Sequence, residues 1–243
     1  MNIVAAQIAP TLGSLGDSVE RHLTVVERAA GLGAAALFFP ELSLTGYALS
    51  QAARQAMHLD DARLEVFQHA SDRHRMSIAI GVPTWYGSGV QISLVFFQPD
   101  QPRLGYAKQW LYADEQAFFV PGDASMLFET GGYRLAPAIC FESMQPEHAQ
   151  AMADLGAQVY LASVAKSAEG VQASLRHYPR VARRHAMAVV MANAVGPVEG
   201  FVCAGGSGVW SSDGRVLCQA GTDDEALVCY DPESGQAEVV VLA

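Results

Sequence analysis

Short, wholly apolar runs alternate with amphipathic stretches along most of the chain, and that alternation sets the expected secondary structure. Ile3-Val4-Ala5-Ala6-Gln7-Ile8 reads as a strand, closed by Pro10 and a turn region at Gly13 and Gly16. Val19, Leu23, Val26 and Ala30 then share one face at helical spacing behind Asp17 or Ser18 as the cap, and Gly31-Leu32-Gly33 stops the helix. Ala34-Ala35-Ala36-Leu37-Phe38-Phe39 reads as a second strand, apolar on both faces and ended by Pro40. Helical pieces from about Leu49 to Ser71 place Leu64, Phe67 and Ala70 together. Strands follow over Met76 to Val82, Gln91 to Phe97 and Leu104 to Lys108, the last two paired across the Pro99 to Pro102 turn.

The second half repeats the style. A strand ends at Cys140, a helix runs from about Pro146 to Leu155, and Val159-Tyr160-Leu161-Ala162 is a strand. A longer helix from about Val171 to Met187 leads into a strand from Val189 to Asn193. From Gly205 to Val241 the pattern gives only short strands around turns such as Ser212-Asp213-Gly214 and Asp231-Pro232-Glu233. No linker, charge block, repeat or low-complexity tract interrupts this, so residues 1–243 read as one domain. Its class is α/β, with sheets covered by helices on their outer faces. Periodicity leaves open whether there is one sheet or two.

Composition narrows the function. Hydrophobic residues make up 51% and charged ones 16% of the 243, so the chain is built to bury a core. A formal charge of −10 argues against nucleic acid or an anionic membrane as the partner. The first residues lack a basic segment followed by a long apolar one, and no apolar run approaches the about 20 residues of a membrane span. Cys140, Cys203, Cys218 and Cys229 lie far apart with no C-x-x-C pair, which fits reduced thiols in a cytoplasm. The expectation is a cytoplasmic protein with neither nucleic-acid nor membrane partners.

Three stretches carry candidate chemistry. Ala136-Pro137-Ala138-Ile139-Cys140-Phe141-Glu142-Ser143 ends an apolar run in a cysteine, just ahead of a helix start at Pro146-Glu147-His148. A thiol there is held by rigid backbone yet reachable from a cleft, where a nucleophile is useful; a small core hydrophobe is the competing reading. Phe38-Phe39-Pro40-Glu41 sets a carboxylate directly after an apolar strand. Either it caps a turn in solvent, or burial raises its pKa until it can take a proton from a thiol. Tyr106-Ala107-Lys108 places one of the chain's two lysines at a strand end, where a surface lysine with its stem on apolar residues is the alternative. Glu115 follows seven residues later.

Weaker signals surround these. Ser163-Val164-Ala165-Lys166 matches the S-x-x-K of serine acyl-transfer enzymes but follows a strand instead of opening a helix. His148, His177 or His185 could pair with the cysteine, and Gly205-Gly206-Ser207-Gly208 is a turn first and an anion nest second. No H-E-x-x-H, zinc-ligand spacing, Walker loop or G-x-G-x-x-G is present, so neither a metal nor a nucleotide cofactor has support.

Taken together, the three stretches resemble the carbon–nitrogen hydrolase (nitrilase/aliphatic amidase) family, whose Glu–Lys–Cys triad sits in comparable segments. Here these read Pro40-Glu41-Leu42-Ser43-Leu44-Thr45-Gly46-Tyr47, Tyr106-Ala107-Lys108-Gln109-Trp110-Leu111 and Ile139-Cys140-Phe141-Glu142-Ser143-Met144-Gln145-Pro146-Glu147. Glu115 matches a second family glutamate ahead of Phe119-Val120-Pro121-Gly122. The likeness extends to Ala6-Gln7, to the Arg183 to Gly196 region with Asn193, and to Gly206-Ser207 and Asp213-Gly214. Ala107, Trp110, Phe141-Glu142, Met144 and Gln145 depart from residues common in the family and leave the substrate open.

The resemblance implies a four-layer α-β-β-α sandwich, two mixed sheets face to face with helices outside. It implies a cofactor-independent hydrolase that cleaves a non-peptide C–N bond of a small carboxamide through a cysteine thioester. Cys140 would be the nucleophile, Glu41 the general base, Lys108 an oxyanion donor and Glu115 its orienting partner. The Phe141 amide would be a second oxyanion donor, with Tyr47, Ser163 and Val164 completing the oxyanion and substrate-binding set. It also implies a homodimer. A nitrilase, an N-carbamoyl amide hydrolase, a catalytically silent binding protein of this family and a serine hydrolase using Ser163 and Lys166 are the rival readings.

Overall fold

A computed structural model of the chain describes residues 1–11 and 14–242, and within them two β-sheets lie face to face. The first half supplies β1 (Asn2–Gln7), α1 (Leu15–Gly31), β2 (Ala34–Phe38), α2 (Ala52–Gln55), α3 (Glu65–His74), β3 (Ser77–Tyr86), β4 (Gly89–Phe97) and β5 (Leu104–Ala107). The second supplies β6 (Phe128–Thr130), β7 (Tyr133–Ile139), α4 (Pro146–Asp154), β8 (Val159–Val164), α5 (Ala168–His185) and β9 (Ala188–Asn193). A small hairpin of β10 (Val195–Val198) and β11 (Phe201–Ala204) follows, then β12 (Gly208–Trp210), β13 (Val216–Gln219), β14 (Ala226–Asp231) and β15 (Gln236–Val241). One sheet has the order β15-β14-β1-β2-β3-β4-β5 and the other β13-β12-β9-β8-β7-β6. Both are mixed: β1, β2 and β3 run parallel, as do β7, β8 and β9, while the flanking pairs are antiparallel.

The apolar strands are explained by burial on both faces. From the first sheet Ile3, Ala5 and Phe38 meet Leu135, Ile139, Leu161 and Val190 of the second in the central core. The alternate residues Val4, Ala6 and Leu37 pack outward on Val25 and Val26 of α1 and Phe67 of α3. On the far side Ala136, Ala138, Tyr160 and Ala162 meet Met152 of α4 and Tyr178 and Val181 of α5. The layers are therefore helix, sheet, sheet, helix, as the family resemblance implied. Among the described residues no helix is long and apolar enough to cross a membrane.

Two local expectations change. The first helix starts earlier than Asp17: Ser14 is its cap, with Ser14 Oγ accepting from the Asp17 amide at 3.2 Å and Asp17 Oδ2 accepting from the Ser14 amide at 3.1 Å. Gly13 of the expected turn lies outside the described residues. β3 runs past Pro83 to Tyr86, because Pro83 keeps a carbonyl that accepts from the Met57 amide at 3.0 Å while its register with β4 continues. The short strands expected after Gly205 include one placed inside the first sheet, since β14 pairs antiparallel with β1 from Ile3↔Tyr230 to Gln7↔Ala226. Long-range pairing of that kind leaves no local pattern.

One glycine is fixed by the fold. The chain leaving β2 crosses directly over Gly81 of β3, where an added Cβ would lie 2.4 Å from the Pro40 carbonyl oxygen and 2.5 Å from the Leu42 amide nitrogen. Gly81→Ala should therefore destabilise by about 1–3 kcal/mol, the cost of overpacking, read as a lower urea midpoint. Gly31→Ala, at the end of α1 with no atom within 4 Å of the new methyl, should be neutral or stabilising in the same experiment. Equal midpoints for the two variants would contradict the crossing.

Candidate active site

Two loops at one end of the first sheet and one from the second sheet converge on a sealed cluster of charges. Beyond β2, the Phe39 amide still pairs with the Ala79 carbonyl at 2.9 Å, which carries the strand direction up to Pro40 and delivers Glu41 into the interior. Lys108 directly follows β5, its amide bonded to the Ile92 carbonyl at 2.8 Å. Gly122 closes over it, donating to the Lys108 carbonyl at 2.7 Å; a Cβ there would sit 2.3 Å from the Ala107 carbonyl. Glu115 ends a single turn at Ala113–Glu115. The Lys108 ammonium donates to Glu41 Oε1 at 2.7 Å and to Glu115 Oε1 and Oε2 at 2.7 and 2.8 Å. Lys108 and Glu115 are fully buried and Glu41 nearly so.

The remaining oxygens are held unequally. Glu115 Oε1 also accepts from the Tyr47 hydroxyl at 2.8 Å, and Oε2 from the Tyr112 amide at 2.7 Å. Glu41 Oε2 is buried and has no hydrogen-bond partner among the described residues. Burial pushes Glu41 up to about 7, with the Glu115 charge adding to it and the Lys108 ammonium opposing. Burial alone would depress Lys108, but the Glu41 and Glu115 charges outweigh it and the net shift is upward. The result is a carboxylate whose affinity for a proton is raised by burial, beside an ammonium held charged by its two acids.

Cys140 comes from the other sheet. It follows β7 as the first residue of a tight turn at Cys140–Met144 and takes a left-handed backbone, φ 47°, an uncommon conformation for a residue with a side chain. That twist turns the thiol off the strand direction; Sγ lies 3.7 Å from the Ala165 carbonyl. Burial first and the Glu41 charge second push the thiol up to about 12, against the pull of Lys108 and Lys166. The resting sulfur is a protonated thiol. The amides that open this turn, Phe141 among them, lack intraturn acceptors by geometry. Beside Glu41 a narrow cavity is lined by Ile8, Pro40, Tyr47, Ala165, Ala194 and Val198.

Glu142 is the residue the sequence reading passed over. It is fully buried and accepts from the Ile139 amide and the Gln109 amide, both at 2.6 Å, and from the Tyr106 hydroxyl at 2.8 Å. Its oxygens thus tie the residue before Cys140 to the residue after Lys108. Burial lifts it to about 7, against these three hydrogen bonds. His148 stands behind it, held neutral by burial with its pKa near 4, 2.8 Å from the Tyr106 hydroxyl and 2.6 Å from that of Tyr160. The only signal in the sequence was an acid two residues after the cysteine.

Several candidates are placed elsewhere. Ser163 spends its hydroxyl on the Phe39 carbonyl at 2.7 Å, and Val164 packs its side chain among the residues facing the helices. The part of that segment beside the thiol is the Ala165 carbonyl, and among the described residues Ser163 makes no pair with a lysine. His148 bonds to tyrosines and not to Cys140. The Gly205, Gly206 and Ser207 amides are already committed to Ala194, Gly221 and Gln7, so no anion nest is formed. Among the described residues no group of three or more His, Cys, Asp or Glu side chains is arranged to hold a metal ion.

Comparison with known proteins points to one family. The family model for the carbon-nitrogen hydrolase matches residues 2–237. An (R)-stereoselective amidase from a Pseudomonas species is 30% identical over 234 residues, 92% of this chain and 82% of that protein. The solved structure of the NitN amidase from Nesterenkonia sp. AN1 superposes with a TM-score of 0.87 at 26% identity, covering 97% of this chain and 94% of that one. A mutant of the Nesterenkonia amidase, at TM-score 0.87 and 25% identity over 95% of this chain and 92% of that one, shows Michael addition of acrylamide at its active-site cysteine.

Removing the buried ammonium tests the charge cluster. Lys108→Met leaves Glu41 and Glu115 facing each other, which should cost about 3–5 kcal/mol at pH 8. The Glu41 pKa, about 7 against 4.5 in the unfolded chain, then rises further, so the folded state holds a proton the unfolded chain has lost. That contribution is present at low pH and lost as pH rises through the raised value. Urea unfolding at pH 5 and pH 8 should show a smaller deficit at pH 5; an equal deficit would mean the two carboxylates do not interact.

Proposed function

The chain belongs to the carbon–nitrogen hydrolase family, and from that premise we propose that it hydrolyses a small carboxamide through a thioester on Cys140. The observation that carries this is the buried Glu41–Lys108–Glu115 cluster next to a protonated thiol. A thiol at about 12 cannot ionise alone near neutrality, whereas a carboxylate at about 7 can take its proton as the carbon–sulfur bond forms. The amidase similarity of the Pseudomonas relative and the cysteine adduct of the Nesterenkonia enzyme support the same reading.

In the first step Glu41 removes the proton from Cys140 Sγ, and the sulfur attacks the amide carbon. The carbonyl oxygen becomes an oxyanion held by Lys108 Nζ–H and the Phe141 amide; one such donor is worth about 3–4 kcal/mol. Lys108 already has three acceptors, so the oxyanion must displace one. Glu115 Oε2 is suited to yield, because the Tyr112 amide still serves it. Glu41 then delivers its proton to the nitrogen, the C–N bond breaks, and ammonia or an amine leaves. Glu41 next takes a proton from water, the hydroxide attacks the thioester carbon, and the carboxylic acid departs as the sulfur regains its proton. The narrow cavity lined by Tyr47, Ala165, Ala194 and Val198 favours a small acyl group.

The test is intact-protein mass spectrometry after quenching with a panel of small amides, nitriles and N-carbamoyl compounds, with ammonia measured in parallel. Cys140→Ala should abolish both turnover and adduct, and Glu41→Gln should lower adduct formation and ammonia release together, because Glu41 serves acylation as well as deacylation. In the wild type kcat/KM should rise with pH through an apparent value near 7, which belongs to the coupled Glu41, Lys108 and Cys140 together. Hydrolysis surviving in Cys140→Ala would sink the mechanism.

A further inference from the structure

The two groups proposed to hold the oxyanion come from different sheets. The Phe141 amide lies just past β7 of the second sheet, and Lys108 just past β5 of the first. Their separation is set by whatever fixes one strand end against the other. The bonds of Lys108 itself stay on its own side: its amide and carbonyl pair with Ile92 and Gly122, and its ammonium with Glu41 and Glu115, all from segments ahead of β6. The bonds inside the Cys140–Met144 turn do not reach the first sheet either. The Cys140 carbonyl accepts from the Ser143 hydroxyl at 2.6 Å, and the Phe141 carbonyl from Gln145 Nε2 at 3.2 Å.

Glu142 reaches both sides. Its Oε1 accepts from the amide of Ile139, the neighbour of Cys140, and its Oε2 from the amide of Gln109, the neighbour of Lys108, each at 2.6 Å. The carboxylate is fully buried, so neither amide has water as a substitute partner. Two N–H donors on two separate oxygens require a side chain that accepts at both. A carboxylate does so; a carboxamide of the same shape turns its NH2 toward one of the donors. The left-handed backbone of Cys140 also needs support from its surroundings, and the bond to the Ile139 amide lies directly before it. Glu41 is pinned by another route: Ser163, registered opposite Ile139, donates to the Phe39 carbonyl at 2.7 Å. The spacing that depends on Glu142 is therefore that of Phe141 and Lys108.

We infer that Glu142 is a positioning residue for the oxyanion, its carboxylate holding the Phe141 amide and the Lys108 ammonium at the spacing the tetrahedral intermediate needs. This rests on the amidase reading above. Glu142 acts through the backbone beside the reacting groups and exchanges no proton with the substrate. A misplacement of about 1 Å can cost about 100-fold in rate. The loss should fall on steps in which a carbonyl oxygen gains charge, and spare reactions of the thiol that need no oxyanion donor.

The experiment compares two reactions of Cys140 in the wild type and in Glu142→Gln. In the first, butyraldehyde adds reversibly: sulfur bonds the carbonyl carbon, the thiol proton passes to the oxygen, and the thiohemiacetal oxygen sits on the two donors. In the second, iodoacetamide alkylates the thiol: sulfur displaces iodide, the thiol proton is released, and no carbonyl oxygen gains charge. Glu142→Gln should weaken the aldehyde complex, read as protection from alkylation, by about 10–100-fold. Its kcat on a small amide should fall by a similar factor with KM and the alkylation rate both within about threefold of the wild type. Tyr106→Phe, which keeps both amide bonds, should retain most of the aldehyde affinity. Should Glu142→Gln fail to fold, Glu142→Asp, shorter by one carbon, is judged by the same two reactions. A parallel fall in both reactions, or no aldehyde complex in the wild type, overturns the role of Glu142. Amide hydrolysis by the wild type with aldehyde affinity unchanged in Glu142→Gln overturns it and leaves the amidase reading standing. A Glu142-dependent aldehyde complex in a wild type that hydrolyses no amide does the opposite.

Discussion

A buried ammonium enclosed by two buried carboxylates is the constraint on which the site depends. Withdrawing Lys108, Glu41 and Glu115 from solvent together is tolerable only because each charge sits at 2.7–2.8 Å from its opposite. None can move without exposing another. Glu115 is further fixed by Tyr47 and the Tyr112 amide, leaving Glu41 as the group with a spare oxygen. Geometry and protonation follow from one cause: the arrangement that makes the charges bearable also sets Glu41 near the pH at which a base is useful.

That cluster belongs to one sheet and the thiol to the other, so the site exists only when the sheets are correctly docked. Glu142 provides the tie, accepting from the amides beside Cys140 and beside Lys108 with a single side chain. The chain of bonds behind it has one consistent direction when Glu142 is ionised and His148 neutral. Tyr160 donates to His148 Nδ1, His148 Nε2–H donates to the Tyr106 hydroxyl, and Tyr106 donates to Glu142 Oε1. A neutral imidazole fits its depressed pKa, and the network has no orphaned proton. Its parts come from the end of β5, the turn after β7, α4 and β8, which fastens the inner end of the site to the second sheet's helix layer.

The sequence by itself determined the alternation of buried strands and amphipathic helices, because strands covered on both faces must be apolar throughout. It also supplied Glu41, Lys108 and Cys140, each at the end of an apolar run, and Glu115 through its family-like place seven residues after Lys108. What it could not carry was pairing across long separations: β14 joining β1, Gly81 lying beneath the crossing at Pro40 to Leu42, and Ser163 bonding to Phe39. Nor could it separate the two roles in Ser163-Val164-Ala165-Lys166, where one step along the chain moves a side chain from the core to the cleft edge. Glu142 looked like an ordinary charge, since one acid has no periodicity. Only the tertiary structure decided its place, because burial and partners are properties of what surrounds a side chain, not of its neighbours in sequence.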